Sequence, residues 1–508
     1  MRVPRWFLAL PLVLAGPSFA QTDAPLLQVD DAIVQRGAQL RLTGERLELP
    51  ADGSIGLVGV SYLLQLAPRS APWLYGGPAA YGAVSGRRGG LLVVGGEAAA
   101  RLPIHERWSI GAGLFAGGAA VGDGLMLRPH AELLWEFRPG QRLGLGWSQV
   151  RFASSRIDSS QVALTWQIDT RFGYLPEGGS MKFLQLGTSA TPRTGVGFDR
   201  VQATAGVYRP HAGARTLAGA PLPRNLGFAG ARLERSIGDN LYWGVEANGA
   251  ASGGVGGYAE LLGTMGYEVV TDSEAFAAGY RLALGSAGGG GVDTGGGLLW
   301  KAGVYGIARL ASDLGLTLEG GLARAPQGSF RARYASVALN WIIDDRLDGT
   351  APPRVTPMEW AAGVGRYRAV RKPGSAVGPG ERALDYAKLR VNREMAPGFY
   401  LGGEVQSAVG GSAGGYVVGL VGAGLRRDFG ERLHGGVELF GGAAGGGGVD
   451  AGGGAVVQPM AYLGWQLAPG LALRVGGGHV KSLRGPLSSS VGEVSLVFGF
   501  GVVSRGYR

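Results

Sequence analysis

The chain has no cysteine among its 508 residues, which removes disulfides, thiolate metal sites and cysteine nucleophiles at once. Lysine is scarce: five of the 48 basic residues (182, 301, 372, 388, 481) are Lys and the rest are Arg. These residues are scattered rather than gathered into stripes, so the formal charge of +10 does not point to a nucleic-acid partner. His105, His130, His211 and His434 lack metal-ligand spacing, and neither a metal nor any other cofactor is expected. Long apolar runs are missing too. Beyond residue 16 nothing approaches the roughly 20 apolar residues that a spanning helix needs. Charged residues make up only 17% and apolar ones 45%, a balance unlike that of disordered chains.

Glycine, by contrast, abounds, with 96 residues; its usual share is about 7%. No Gly-X-Y period runs through it, so collagen is excluded. Its most informative concentration is the block 288–297, GGGGVDTGGG, repeated at 445–454 with Ala451 in place of Thr294. A shift of 157 positions keeps 288–343 aligned with 445–500 without a gap, bringing VALNWII (337–343) onto VSLVFGF (494–500). A shift of 330 brings LRPHAELLWEFRPG (127–140) onto VQPMAYLGWQLAPG (457–470). The chain is a threefold internal repeat, with copies assigned to 21–168, 169–344 and 345–508 and an irregular linker at 169–200.

Residues 1–20 read as an export signal rather than structure. Arg2 and Arg5 precede the short apolar core FLALPLVLAG, and Ser18-Phe19-Ala20 places cleavage before Gln21.

The third copy parses into eight segments of about ten residues with period-two alternation. In FYLGGEVQSA, Phe399, Leu401 and Val405 oppose Tyr400, Glu404 and Gln406. In LYWGVEAN, Trp243, Val245 and Ala247 oppose Glu246 and Asn248. Short turns (69–73, 138–142, 238–240, 311–313, 396–398, 430–432, 468–470) alternate with longer Gly/Ser-rich loops. Soluble sandwiches also alternate. The export signal, the turn/loop asymmetry and aromatics near strand ends (Trp135, Phe137, Phe440, Trp465) favour a membrane barrel. The segment GEVSLVFGF (492–500) resembles the C-terminal recognition strand of Gram-negative outer-membrane β-barrel proteins, although eight residues follow Phe500. The chain is similar to that class as a whole, without a specific family.

The expected fold is therefore all-β: a transmembrane antiparallel β-barrel of about 24 strands (22–26) built from three eight-stranded repeats. The short join 344–357 favours one large barrel over three small ones. A lumen that wide needs a filler, for which the loops 209–226 and 371–384, the segment 169–200 or another protein are candidates. The candidate lumen-facing residues are Glu132, Glu136, Arg232, Glu246, Arg281, Glu319, Arg390, Glu404, Glu438 and Arg474. As a mixed-charge wall they would let polar solutes or an exported polymer pass, with no catalytic step. A structural or surface-adhesion barrel without flux is the alternative. The resemblance implies the outer membrane of a Gram-negative bacterium as location. It implies outer-membrane lipid and lipopolysaccharide, the barrel-assembly machinery, and a periplasmic or plug protein as partners.

Two motifs have sharper readings. GGxGxD at 288–293 and 445–450 resembles calcium-binding β-roll repeats, but each copy stands alone, which favours a plain loop. His479, followed by Ser482, resembles the His-x-Ser motif of lipid A 3-O-deacylases with the spacing altered. Positions i and i+3 lie on opposite faces of a strand, which separates that pair. The aligned residues in the other copies are Gln149 and Leu322.

Overall fold

The computed structural model describes residues 33–49, 53–86, 90–119, 124–152, 157–176, 184–185, 194–196, 198–237, 239–271, 273–311, 313–344, 353–370, 382–411 and 415–505. The export signal and most of the loop 371–384 lie outside them. Every barrel strand is antiparallel to its neighbours. The first barrel comprises β1 (Val34–Leu49), β2 (Gly53–Ala67), β3 (Ala71–Ser85), β4 (Leu92–His105), β5 (Trp108–Ala119), β6 (Leu125–Arg138), β7 (Gln141–Phe152) and β8 (Asp158–Tyr174). After the two-residue β9 (Leu184–Gln185), the second contains β10 (Arg200–Pro210), β11 (Leu226–Ser236), β12 (Leu241–Ser252), β13 (Ala259–Val270), β14 (Phe276–Gly288), β15 (Leu298–Arg309), β16 (Leu314–Arg324) and β17 (Arg331–Ile342). The third contains β18 (Pro353–Val370), β19 (Arg382–Ala396), β20 (Phe399–Gly411), β21 (Val417–Asp428), β22 (Leu433–Gly445), β23 (Ala455–Ala468), β24 (Leu471–Ser482) and β25 (Ser488–Arg505).

The repeats and their eight strands each are as the sequence indicates, but a single large barrel is not formed. Each copy closes on itself. β1 pairs with β8 from Val34↔Tyr174 to Glu45↔Ala163, β10 with β17 from Arg200↔Ile342 to Pro210↔Ala332, and β18 with β25 from Pro353↔Arg505 to Tyr367↔Val491. The reason lies at the copy ends. The Ile343 and Asp344 amides donate to the Asp199 carbonyl at 2.8 and 3.2 Å, folding the end of the second copy back onto its own beginning. The next described strand, β18, opens a new seam with β25. An eight-stranded barrel is just wide enough for its own side chains to fill it, so no wide lumen is left to plug.

The three barrels form a ring in which the third strand of each packs on the fifth strand of the next: β3 on β14, β12 on β22, and β20 on β5. This is a head-to-tail interface whose rotation closes after three steps, the geometry of a cyclic trimer within one chain. At each joint, small residues let the sheets meet. A Cβ on Gly82 would lie 2.5 Å from the Ser286 Cβ, one on Gly249 2.5 Å from the Ala443 Cβ, and one on Gly118 2.3 Å from the Ser407 Cβ. The glycine stands on the third strand at the first two joints and on the fifth strand at the last.

Candidate functional site

Alternation along the strands directs charged and polar residues inward and apolar residues outward. Leu164, Val304, Leu318, Leu439, Leu463 and Leu496, from all three barrels, are each more than half exposed, while the arginines within are almost wholly buried. A soluble barrel has the opposite polarity.

Inside the first barrel, Arg41 donates to Glu97 at 2.6 Å and to Glu132 at 2.8 Å, with the His130 ring 3.3 Å away. The Ser61 hydroxyl donates to the other Glu97 oxygen at 2.6 Å. Arg128 grips Glu45 with Nε at 2.9 Å and Nη2 at 3.0 Å, and Ser148 donates to the same carboxylate at 2.5 Å. In the second barrel, Glu234 accepts from Arg200 and Arg281, each at 2.6 Å, and Arg281 also pairs with Glu319. Glu246 holds Arg232 at 2.7 Å and Lys301 at 2.6 Å. In the third, Arg390 bridges Glu404 and Glu438 at 2.5 and 2.6 Å, Arg474 and Arg426 share Glu359 at 2.7 and 2.9 Å, and Lys388 pairs with Glu493.

Of the ten residues singled out from the sequence, Glu132, Arg232, Glu246, Arg281, Glu319, Arg390, Glu404, Glu438 and Arg474 lie within these networks. Glu136 sits at the turn end, where it accepts from the Gly140 amide at 3.1 Å and pairs with Arg142. The ten are spread over three separate interiors and line no common wall. The other members of these networks, among them Arg41, Glu45, Glu97, Arg128, Glu234, Lys301, Glu359, Lys388 and Glu493, escaped the sequence reading. They occupy the same inward register, so period-two counting extended to every strand would have found them.

Above each ionic layer, towards the longer loops, the interior turns apolar. Leu47, Ile55, Tyr81, Val93, Phe115 and Phe152 close the first barrel. Tyr208, Phe228, Tyr258, Leu299 and Phe330 close the second. Tyr367, Tyr386, Val418, Phe440 and Val480 close the third. The glycine blocks contribute to this closure: Val292 is buried in the second cluster, and Val449 and Ala451 in the third. Part of the loop 209–226 joins them, through Leu222 against the cluster and Thr216 bridged to Val292. At the turn end of the second barrel a cavity of about 360 Å³, lined by Asp199, Arg200, Glu268, Phe276, Arg309 and Asn340, stops at the Arg200–Glu268 pair.

In the glycine block, one Asp293 oxygen accepts from the Gly295 amide at 3.1 Å and the other from the Ser329 amide at 3.0 Å. Asp450 accepts from Gly452 in the same way at 3.0 Å. The aspartates pin loops, and among the described residues no group of three or more acidic or histidine side chains could hold a metal. The block also reaches the neighbouring barrel. A Cβ on Gly445 would fall 2.1 Å from the Gly257 nitrogen, and one on Gly297 2.5 Å from the Ala83 carbonyl. Glycine is required here because backbone meets backbone.

His479 and Ser482 lie on opposite faces. The Ser482 hydroxyl points inward and donates to the Leu487 carbonyl at 3.2 Å. The histidine ring instead meets the exposed Ser488 hydroxyl at 2.8 Å on the outer face. At the equivalent positions of the first barrel, Gln149 donates to Asp158 at 2.7 Å. A diagonal cross-strand hydrogen bond thus recurs there without any catalytic side chain.

No family model and no curated protein matches this chain. Among solved structures, Pseudomonas aeruginosa OpdQ is similar at 9% identity, covering 93% of this chain and 98% of its own, with a TM-score of 0.21. The outer membrane protein OpdK of the same organism gives 11% identity, 93% and 99% coverage and a TM-score of 0.21. The siderophore receptor PirA of Acinetobacter baumannii gives 8% identity, 94% and 81% coverage and a TM-score of 0.27. Scores this low establish no common fold with these proteins.

Proposed function

We propose that this chain is an integral protein of the Gram-negative outer membrane. In this reading it serves as a rigid three-barrel scaffold that carries no flux through its barrels. The observation that supports it is the inverted polarity: an exposed apolar exterior around interiors whose buried arginines each pair with a carboxylate. Exposed apolar surface on this scale is unfavourable in water and matched to hydrocarbon. Closure of each copy pairs its strand edges, as hydrocarbon demands. Trp73, Trp108, Trp135, Phe276, Phe399, Phe429 and Trp465 stand exposed near the turn end, where an interfacial aromatic girdle belongs. The export signal expected at residues 1–20 is consistent with the same destination.

A passage for polar solutes is the second reading, and the mixed charge of the interiors together with the cavity at the turn end of the second barrel favours it. Flux would require the ion pairs and the apolar layer above them to part. Purified full-length protein in planar bilayers separates the two. The scaffold predicts no discrete conductance steps, and reproducible unitary steps would overturn it in favour of the passage.

A further inference from the structure

On the outward face of the second barrel, at the loop end, stand Arg209, Arg324, Arg331 and Arg333, all exposed. They occupy three adjacent strands and oppose one another directly: Arg209↔Arg333 across β10 and β17, Arg331↔Arg324 across β17 and β16. Like charges directly opposite on one face destabilise a sheet. No carboxylate among the described residues forms an ion pair with any of the four. The other two barrels avoid this arrangement. Where the second has Arg324 and Arg331, the first has Arg151 paired with Asp158 at 3.0 Å, and the third has Lys481 opposite Ser488. Arg333 is replaced by Ser160 and Ser490 at the aligned positions. Immediately towards the middle of the same face lie exposed Val207, Leu322 and Val337. The patch therefore sits where an apolar belt gives way to four unneutralised positive charges.

We propose that this patch binds the phosphorylated head group of a lipid A-type glycolipid, with acyl chains along Val207, Leu322 and Val337. The proposal rests on the membrane reading above. Guanidinium groups pair with phosphate through bidentate, charge-assisted hydrogen bonds. Four of them within two cross-strand pairs suit a head group carrying more than one phosphate better than a singly charged phospholipid. The binding would also supply the counter-charge that the sheet itself lacks.

The test adds bisphosphorylated lipid A, dephosphorylated lipid A or phosphatidylglycerol to the purified full chain in neutral detergent and reads retention by native mass spectrometry. Bisphosphorylated lipid A is expected to be retained about tenfold above either alternative. The triple substitution Arg324→Ser, Arg331→Asp, Arg333→Ser should abolish that preference. Because it removes like-charge contacts, the variant should fold at least as well, which its circular dichroism checks. Equal retention by both proteins, or retention of phosphatidylglycerol as strong as that of lipid A, would overturn the proposal. The two failures are distinguishable. A chain that stays monodisperse without detergent refutes the membrane placement itself, whereas equal retention in detergent refutes only the lipid site.

Discussion

Glu45→Ala tests whether the barrels are filled or wet. Arg128 has its guanidinium against both Glu45 oxygens, with side-chain exposures of 1% and 0%, and lies over the Tyr81 ring at 5.1 Å. Removing the carboxylate leaves a buried arginine with no acid in contact. Breaking a buried pair in this way costs about 3–5 kcal/mol, whereas an exposed pair is worth about 0–1 kcal/mol. With a urea slope near 2 kcal/mol/M, the filled interior predicts a midpoint lowered by about 2 M and a water-filled lumen one lowered by less than about 0.5 M. The assay is urea titration of protein folded into vesicles, followed by tryptophan fluorescence, since Trp73, Trp108, Trp135, Trp147 and Trp166 all belong to the first barrel. Replacing both partners, Glu45→Leu with Arg128→Met, should restore most of the loss, because apolar residues of similar size avoid the desolvation penalty. A single variant with an unchanged midpoint would refute the sealed interior. So would a double variant as unstable as the single one, because the cost would then not be that of an unpaired charge.

Gly445→Val drives side-chain carbons into the backbone of Gly257 on the neighbouring barrel; overpacking of this kind costs about 1–3 kcal/mol. It should expose the joint between the second and third barrels to limited proteolysis while each barrel keeps its strand signal in circular dichroism. Asp293→Ala removes two amide contacts and should lower stability by about 1–2 kcal/mol, read as a lower urea midpoint, with no dependence on added calcium. A calcium-dependent midpoint in the unsubstituted protein would revive the ion-site reading of the block. His479→Ala should leave the mass of lipid A unchanged relative to the unsubstituted protein after co-expression, and the unsubstituted protein itself should not alter it.

What the sequence revealed and what it hid have physical causes. Repeat length, strand count and the alternation of turns and loops were legible because each is local: a two-residue period and an Ala-Pro-Gly turn need no knowledge of the rest of the chain. Glu246 and Arg232 could be assigned to the inward face for the same reason. Closure was not legible, because pairing β1 with β8 rather than with a strand of another copy depends on contacts over a hundred residues apart. A join of fourteen residues looks the same whether it is a loop in one barrel or a bridge between two. The glycine blocks link the fifth and sixth strands of their barrels, and their composition reflects a neighbour that alternation cannot reveal. Only the close approach of Gly445 to Gly257 shows why a side chain is not tolerated there.

The ring also explains where the copies have diverged. Two of its joints connect barrels that follow one another directly in the chain. The third joint must bring the last barrel back to the first, the longest closure in the chain and the one with the largest entropic cost. At that joint the first copy lacks the full glycine block and keeps only Gly122-Asp123-Gly124. Among the described residues, the interface there has an aromatic cluster that the other two lack. At the turn end, Phe172 and Tyr174 of β8 pack against Trp360 of β18 and Phe498 and Phe500 of β25, with ring centroids 5.4–6.2 Å apart. The Leu175 and Gly501 backbones bond reciprocally, and β9 adds to the edge of β18. Aromatic contacts of this kind contribute about 0.5–1.5 kcal/mol each beyond the area they bury. The cluster thus stands where linker connectivity helps least. Phe500, which ends the segment that resembles an outer-membrane recognition strand, is wholly buried in it. Phe500→Ala should therefore open the ring between the first and third barrels before either barrel unfolds. Cross-linking between cysteines introduced at Tyr62 and Met358 reads this directly, and undiminished cross-linking in the variant would show that the aromatic cluster does not hold the ring shut.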